Sequence, residues 1–338
     1  MDRRERREGD DGISRAPAPG SLSRVLVAKF SPRAGWRHRE CPVPLDCVVI
    51  GGGPAGLMAA IYLARFRRSV RVVDAGMSRA ALIPRSHNIP GFAHGLSGPE
   101  FIVRMSDQLV GLEVPVIKGE ARVLTRTEGG FRIDSSDGEI HAATVVLASG
   151  IVDIHPPFED WRTALAAGLL RYCPVCDAFE AMGQSIGVVG ELRHAAPKAL
   201  FLRSYTKDVT LLATREDPDD DARASLAEAK VKVLTARDLR LRRSGNRVEA
   251  VFNDNETAAF DVLYPAMGAE VRSYLALSLG AAHNEEGYLR VDDRQQTSIK
   301  GLYGIGDVVS DLHQISVAVG HAAVAACAIN SALPRAFA

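Results

Sequence analysis

One strand-turn-helix-strand unit, opening at Asp46, limits what this chain can fold into more than any other feature. Four apolar residues, Cys47-Val48-Val49-Ile50, run into Gly51-Gly52-Gly53-Pro54-Ala55-Gly56; an apolar helix continues through Phe66, and Val70 to Val73 reads as the next strand. A short apolar run that ends in glycines fits a strand buried on both faces, and a parallel neighbour requires the helical crossover. Gly51, Gly53 and Gly56 keep the G-x-G-x-x-G spacing, and Asp74 follows the second strand. Gly51 permits the tight turn, and Gly53, ahead of Pro54 and Ala55, lets a pyrophosphate reach the backbone at the helix N-terminus. Gly56 lets helix and strand pack closely, and Asp74 can accept ribose hydroxyls. In this context the spacing points to a bound dinucleotide.

A fainter copy of the unit begins at Ile186-Gly187-Val188-Val189-Gly190, continues through a helical Ala195 to Ser204 and returns as Val209 to Leu212. Between the copies, Ala121 to Thr127, Phe131 to Ser135 and Thr144 to Ala148 read as short strands around Gly129-Gly130 and Asp137-Gly138. The expected fold is α/β, with two nucleotide-binding three-layer domains and the second inserted into the first. Residues 46–154 and 271–338 would form the first domain and 155–270 the second. Residues 1–45 carry scattered charges and prolines without periodicity and read as a disordered tail.

The chain has 338 residues, 46% of them hydrophobic, enough for two cores. With 41 basic and 41 acidic side chains it has no global positive field, which argues against nucleic acid as a partner. The apolar stretch from Val317 to Ile329 falls short of the roughly 18 to 20 residues of a bilayer span and is broken by Gly320 and His321, so no membrane partner is expected. Five cysteines are too few for a disulfide scaffold, and the N-terminal segment lacks the continuous apolar core of an export signal; a cytoplasmic setting fits best.

Reactive chemistry concentrates in Cys173-Pro174-Val175-Cys176-Asp177. Two residues between cysteines allow a disulfide to close if the first opens a helix; a helix N-terminus favours the attacking thiolate, and Asp177 can shuttle a proton. A zinc site would need two more ligands, and no second C-x-x-C exists. A merely buried thiol pair is the plain alternative. Downstream, Thr297 to Tyr303 leads into Gly304-Ile305-Gly306-Asp307, a strand end that can present a carboxylate to a polyol.

These residues resemble the flavin-dependent pyridine-nucleotide disulfide oxidoreductases. Their order is the glycine loop, Asn88-Ile89-Pro90-Gly91-Phe92, Ala148-Ser149-Gly150, C-x-x-C-Asp, a second nucleotide unit and Gly-Asp; it is similar to low-molecular-weight thioredoxin reductase from about Asp46 to Leu333. The resemblance implies FAD, with Gly306 and Asp307 at its ribityl chain and Asn88, Gln314 and Ile315 toward the flavin. It also implies a homodimer, Cys176 as the flavin-facing thiol, Cys173 as the thiol that exchanges with substrate, and Asp177 as the acid-base residue. His313-Gln314-Ile315 stands where the family places Arg-Gln-Ala, so Gln314 is the contact that transfers most directly.

The second nucleotide loop departs from this pattern. Gly190-Glu191-Leu192-Arg193-His194-Ala195 replaces Gly-Gly-Gly-Asp-Ser-Ala, so Leu192 takes the place of the glycine that admits a pyrophosphate and Glu191 adds a negative charge. Arg215 is followed by the acidic Glu216, Asp217, Asp219, Asp220 and Asp221. NAD(P)H binding is therefore opposed, although Arg193 and Arg215 are placed to compensate in part. Two enzymes fit: a thioredoxin-reductase-like oxidoreductase passing electrons between flavin, the Cys173–Cys176 disulfide and a thioredoxin-like protein or small-molecule disulfide, or a nicotinamide-independent dithiol oxidase or reductase using oxygen or another carrier. A non-enzymatic flavoprotein redox switch is the third reading.

Overall fold

The computed structural model describes residues 44–216 and 219–335. The tail reading lies outside these residues up to position 43, as does Asp217 of the acidic run. Leu45, assigned to the tail, instead begins the first strand, because it pairs with Ala142 of a neighbouring strand.

Alternation along the first strand explains the first lobe. In β1 (Leu45–Ile50), Cys47 and Val49 enter one core while Val48 and Ile50 enter another, so both sheet faces are covered. Chain order continues with α1 (Pro54–Arg65), β2 (Val70–Asp74), α2 (Gly98–Gly111), β3 (Val116–Lys118), β4 (Ala121–Thr127), β5 (Gly130–Ser135) and β6 (Gly138–Leu147). The sheet order is β3-β2-β1-β6-β5-β4; β1, β2, β3 and β6 are parallel, and β5 and β4 are added antiparallel. On one face α1 and the last helix bury Leu57, Ile61, Ala322 and Ile329; on the other, Phe131, Ile133 and Leu275 pack under the antiparallel strands.

After β7 (Ile151–Asp153), α3 (Trp161–Ala166) and α4 (Pro174–Asp177), a second parallel sheet begins at β8 (Ile186–Gly190). It continues through α5 (Leu192–Leu202), β9 (Val209–Ala213), α6 (Asp220–Glu228) and β10 (Lys232–Thr235). β11 (Arg240–Ser244), β12 (Arg247–Phe252) and β13 (Glu256–Phe260) form an antiparallel sheet of their own, and β14 (Val262–Ala266) completes the order β10-β9-β8-β14. Ile186 and Val188 face α5 while Val189 faces Leu241, Val248 and Phe260, giving three layers again. The chain returns through β15 (Ala269–Val271), antiparallel to β7, then α7 (Tyr274–Leu277), β16 (Leu302–Gly304) beside β6, and α8 (Ile315–Ala332).

The helix α5 starts at Leu192 rather than Ala195, since Glu191 takes the N-cap position and its carbonyl accepts from Ala195 N at 2.8 Å. The apolar C-terminal stretch also differs from expectation. The helix α8 spans 18 residues without a charged side chain and is the one described helix long and apolar enough to cross a membrane. Gly320 and His321 do not interrupt it, and Ala318, Ala322, Ala325, Ala326 and Ile329 are buried in the core shared with α1.

Candidate active site

Close backbone approaches build the first half of the site. A Cβ on Gly51, whose φ is +111°, would lie 2.3 Å from the Ala148 carbonyl oxygen, and one on Gly56 would lie 1.9 Å from the Gly51 oxygen. These contacts bring β1, α1 and the end of β6 together, as the glycine spacing anticipates. Gly52 N donates to Asp74 Oδ1 at 3.0 Å, fixing the carboxylate beside the turn. Gly53 caps α1 without a side-chain acceptor, so the orphan amides of the first turn face the cavity in front of them.

That cavity, about 1180 Å³ counting its open mouth, runs past Gly51 to Ala55, Asp74, Ala148 to Gly150, Gly306, Asp307, Gln314 and Ile315. Gly306 has φ +72°, and a Cβ there would lie 2.9 Å from the Ala55 Cβ, so the Gly-Asp segment closes on the first turn of α1. Burial pushes the Asp307 carboxyl up to about 6, opposed by Arg79, whose Nη1 is 3.9 Å from Asp307 Oδ2. A helix N-terminus, the Asp74 carboxylate beside the glycine turn and the Asp307 carboxylate elsewhere along the cavity suit the phosphates and polyols of FAD. Gly56 and Asn88 lie off this cavity. Gly56 acts in packing, and Asn88 donates from Nδ2 to Gln314 Oε1 at 2.9 Å.

Cys173 and Cys176 form a disulfide at the start of α4, with Cys173 at the N-cap and Cys176 N donating to its carbonyl at 3.0 Å. Gln314 Nε2 stands 3.2 Å from Cys173 Sγ and 3.4 Å from Cys176 Sγ. One side chain thus touches both sulfurs and lines the glycine-loop cavity. Asp177 Oδ1 accepts from Tyr264 Oη at 2.7 Å, yet burial pushes its carboxyl up to about 6. Cys47 lies in the core, where burial pushes the thiol up to about 12, far from the thiolate form.

Several residues around the site had no sequence signal. Arg79 donates through Nε and Nη2 to both carboxylate oxygens of Asp153, at 2.6 and 2.9 Å, from a single 3₁₀ turn (Arg79–Leu82) too short to show a periodicity. His313 pairs with Tyr288 Oη at 3.1 Å, and burial lowers it to about 4, so a neutral imidazole stands where the resemblance has an arginine. Tyr264 and Lys198 read as ordinary strand and helix residues.

At the second loop the placement of Leu192 differs from expectation. Leu192 is fully buried among Val188, Ala195 and Leu211, so its side chain does not stand in the phosphate path. Electrostatics remain: Glu191 sits at the N-terminus of α5, with Oε1 2.8 Å from Arg215 Nη2 and Oε2 3.9 Å from Arg193 Nε. The two arginines expected to compensate are engaged by this carboxylate. Truncating Leu192 to alanine should therefore lower stability by about 2 to 5 kcal/mol without improving nucleotide affinity; a denaturant melt paired with a binding titration checks both parts.

The pyridine nucleotide-disulphide oxidoreductase family matches residues 45–322. A thioredoxin reductase of Mycolicibacterium smegmatis is 30% identical over 83% of this chain and 94% of its own length. Among solved structures, HlmI aligns with a TM-score of 0.80 at 27% identity, covering 87% of this chain and 94% of that one. Thioredoxin reductase from Streptococcus pyogenes aligns with a TM-score of 0.76 at 27% identity, covering 85% and 97%. A redox disulfide held against a dinucleotide-type cavity, on two nucleotide-binding domains, is the arrangement of a flavoprotein disulfide oxidoreductase. The chain belongs to the pyridine nucleotide-disulphide oxidoreductase family.

Proposed function

We propose that FAD occupies the glycine-loop cavity, with its ribose hydroxyls on Asp74, its pyrophosphate at the N-terminus of α1 and its ribityl chain at Asp307. Gln314, backed by Asn88, and Ile315 mark the flavin end. Bound there, FAD would supply two-electron redox chemistry to the cysteine pair. The chain's own residues do the rest. In the reducing direction, the Cys173 thiolate attacks one sulfur of a substrate disulfide; a mixed disulfide forms, and the departing thiolate takes a proton from Asp177. Cys176 then attacks Cys173, re-forming the internal disulfide and releasing the second substrate thiol.

The observation that carries this reading is Gln314, which touches both sulfurs while lining the cofactor cavity. Likeness to thioredoxin reductases favours a thioredoxin-like protein as the disulfide substrate, ahead of a small molecule. Exposed Val175 and Phe179 beside the cysteines suit a protein surface. On the same reading the enzyme is a cytoplasmic homodimer whose domains divide as 46–154 with 271–338, and 155–270.

Glu191 favours a second reading, in which a dithiol rather than a nicotinamide supplies the electrons. A carboxylate carried by the N-cap residue of α5 and paired with Arg215 repels a phosphate brought to that helix start. Anaerobic titration of the flavin absorbance with NADPH, NADH and dithiothreitol decides between the two. The expected result is slow or absent reduction by NADPH, with Glu191→Ala tightening NADPH by about tenfold, or 1.4 kcal/mol. Reduction within milliseconds that saturates at micromolar NADPH would leave the nicotinamide-dependent reading alone.

A further inference from the structure

Behind the redox turn lies a cation that the chemistry above does not use. Lys198 projects from α5 toward α4 and β14 and is partly buried. Its Nζ donates to the carbonyl oxygens of Tyr172, at 3.3 Å, and Pro265, at 2.5 Å. Tyr172 immediately precedes Cys173, and Pro265 follows Tyr264, the residue that donates to Asp177. Among the described residues no carboxylate lies within 4.0 Å of this ammonium, so two neutral carbonyls are its close partners.

While the cysteines are oxidised the disulfide carries no charge to balance this ammonium, which is left to Asp153 and Asp177 beyond 4.0 Å. Reduction changes that balance. Two electrons from the flavin break the S–S bond, one proton is taken up, and the pair becomes one thiol and one thiolate. A negative charge then appears on the turn whose backbone Lys198 holds. Other charged or titratable groups face the lysine from neighbouring elements: Asp177 in α4, Asp153 in β7, and Arg79 before α2. Asp153 and Asp177 favour the ammonium and Arg79 opposes it, while burial lowers it to about 8. Around the cysteines themselves, Arg171, Glu180 and His313 complete the set of groups coupled to Asp177 or Lys198.

We propose that Lys198 is a positioning residue for the thiol-disulfide step, its ammonium anchored behind the redox turn so that it stabilises the thiolate formed when the Cys173–Cys176 disulfide is reduced. The proposal rests on the redox role given to that pair. It gives α5 a use in this protein that does not depend on the nucleotide loop at its N-terminus.

The test uses Lys198→Gln, which keeps donors for both carbonyls and removes the charge, beside Lys198→Arg in the full chain. Reduced protein is alkylated with iodoacetamide across pH, and the disulfide is equilibrated with dithiothreitol redox buffers. Lys198→Gln should raise the midpoint of thiol reactivity by about one pH unit and shift the redox equilibrium about tenfold toward the disulfide, while Lys198→Arg stays near wild type. If Lys198→Gln keeps the wild-type midpoint and equilibrium, or if Lys198→Arg is as impaired as Lys198→Gln, the lysine is only a tie between Tyr172 and β14 and the proposal fails. Should Lys198→Gln not fold, Lys198→Met carries the same comparison. A wild-type disulfide that dithiothreitol cannot reduce would instead overturn the redox role of the pair.

Discussion

Serine at either position 173 or position 176 is expected to abolish turnover of disulfide substrates, and the two variants should differ in colour. On the proposed assignment, Cys173→Ser leaves Cys176 as the thiolate toward the flavin and should give a broad long-wavelength absorbance, whereas Cys176→Ser should not. Both sulfurs lie within 3.4 Å of Gln314 Nε2 in the disulfide, so the closed pair alone does not separate the two roles. Absorbance spectra of the two purified variants, with turnover measured on a protein disulfide, check the assignment. Identical spectra, or retained turnover in either variant, would show that the roles are wrongly placed.

Asp177→Asn is expected to slow exchange by about 10² to 10⁴ fold, the usual range for losing a positioned acid or base. It should also stabilise the protein. Burial raises the Asp177 carboxyl from 3.8 to about 6, so the folded state binds this proton more tightly than the unfolded chain. The contribution is fully present below pH 3.8 and is lost as pH rises through 6, so at pH 7 the wild type carries an ionised, partly buried carboxylate. A shift of this size corresponds to at most about 3 kcal/mol. Asparagine retains an acceptor for Tyr264 Oη without the charge. Melts at pH 7 should place the variant above wild type, and melts near pH 4 should bring them together; in the rate profile, the limb that falls as pH rises through about 6 should disappear. A variant less stable at pH 7, or a rate profile that keeps this limb, would mean that Asp177 is ionised without penalty and is not the acid.

Legibility in the sequence followed chemistry that is local in the chain. The glycine turn, β1, β4 and β8 were readable because apolar runs and glycine spacing are set within a few residues, and the cysteine pair because its spacing is itself the signal. Leu192, a side chain in place of a glycine, suggests a steric block. Where that side chain points depends on the sheet beneath α5, which the loop alone does not encode. Arg79, Lys198 and Tyr264 were invisible for a related reason: each gains its meaning from a partner 74, 67 or 87 positions away. In the run from Val317 to Ile329 the glycine and histidine suggest breaks, whereas a helix tolerates both when its neighbour is another small-residue helix.

The pairing of β7 with β15 has a consequence for how such a chain can arise. Asp153 faces Ala269 and Ile151 faces Val271, and Ile154 N donates to the Gly268 oxygen at 3.0 Å just beyond them. These are the geometry and hydrogen bonding of an ordinary β-hairpin, in which residues 154–268 take the place of the turn. A two-residue loop would close the same ladder. The host sheet therefore needs nothing from the inserted lobe to complete its own backbone pairing, and an ancestral gene could gain or lose that lobe at a single point without refashioning the fold around it.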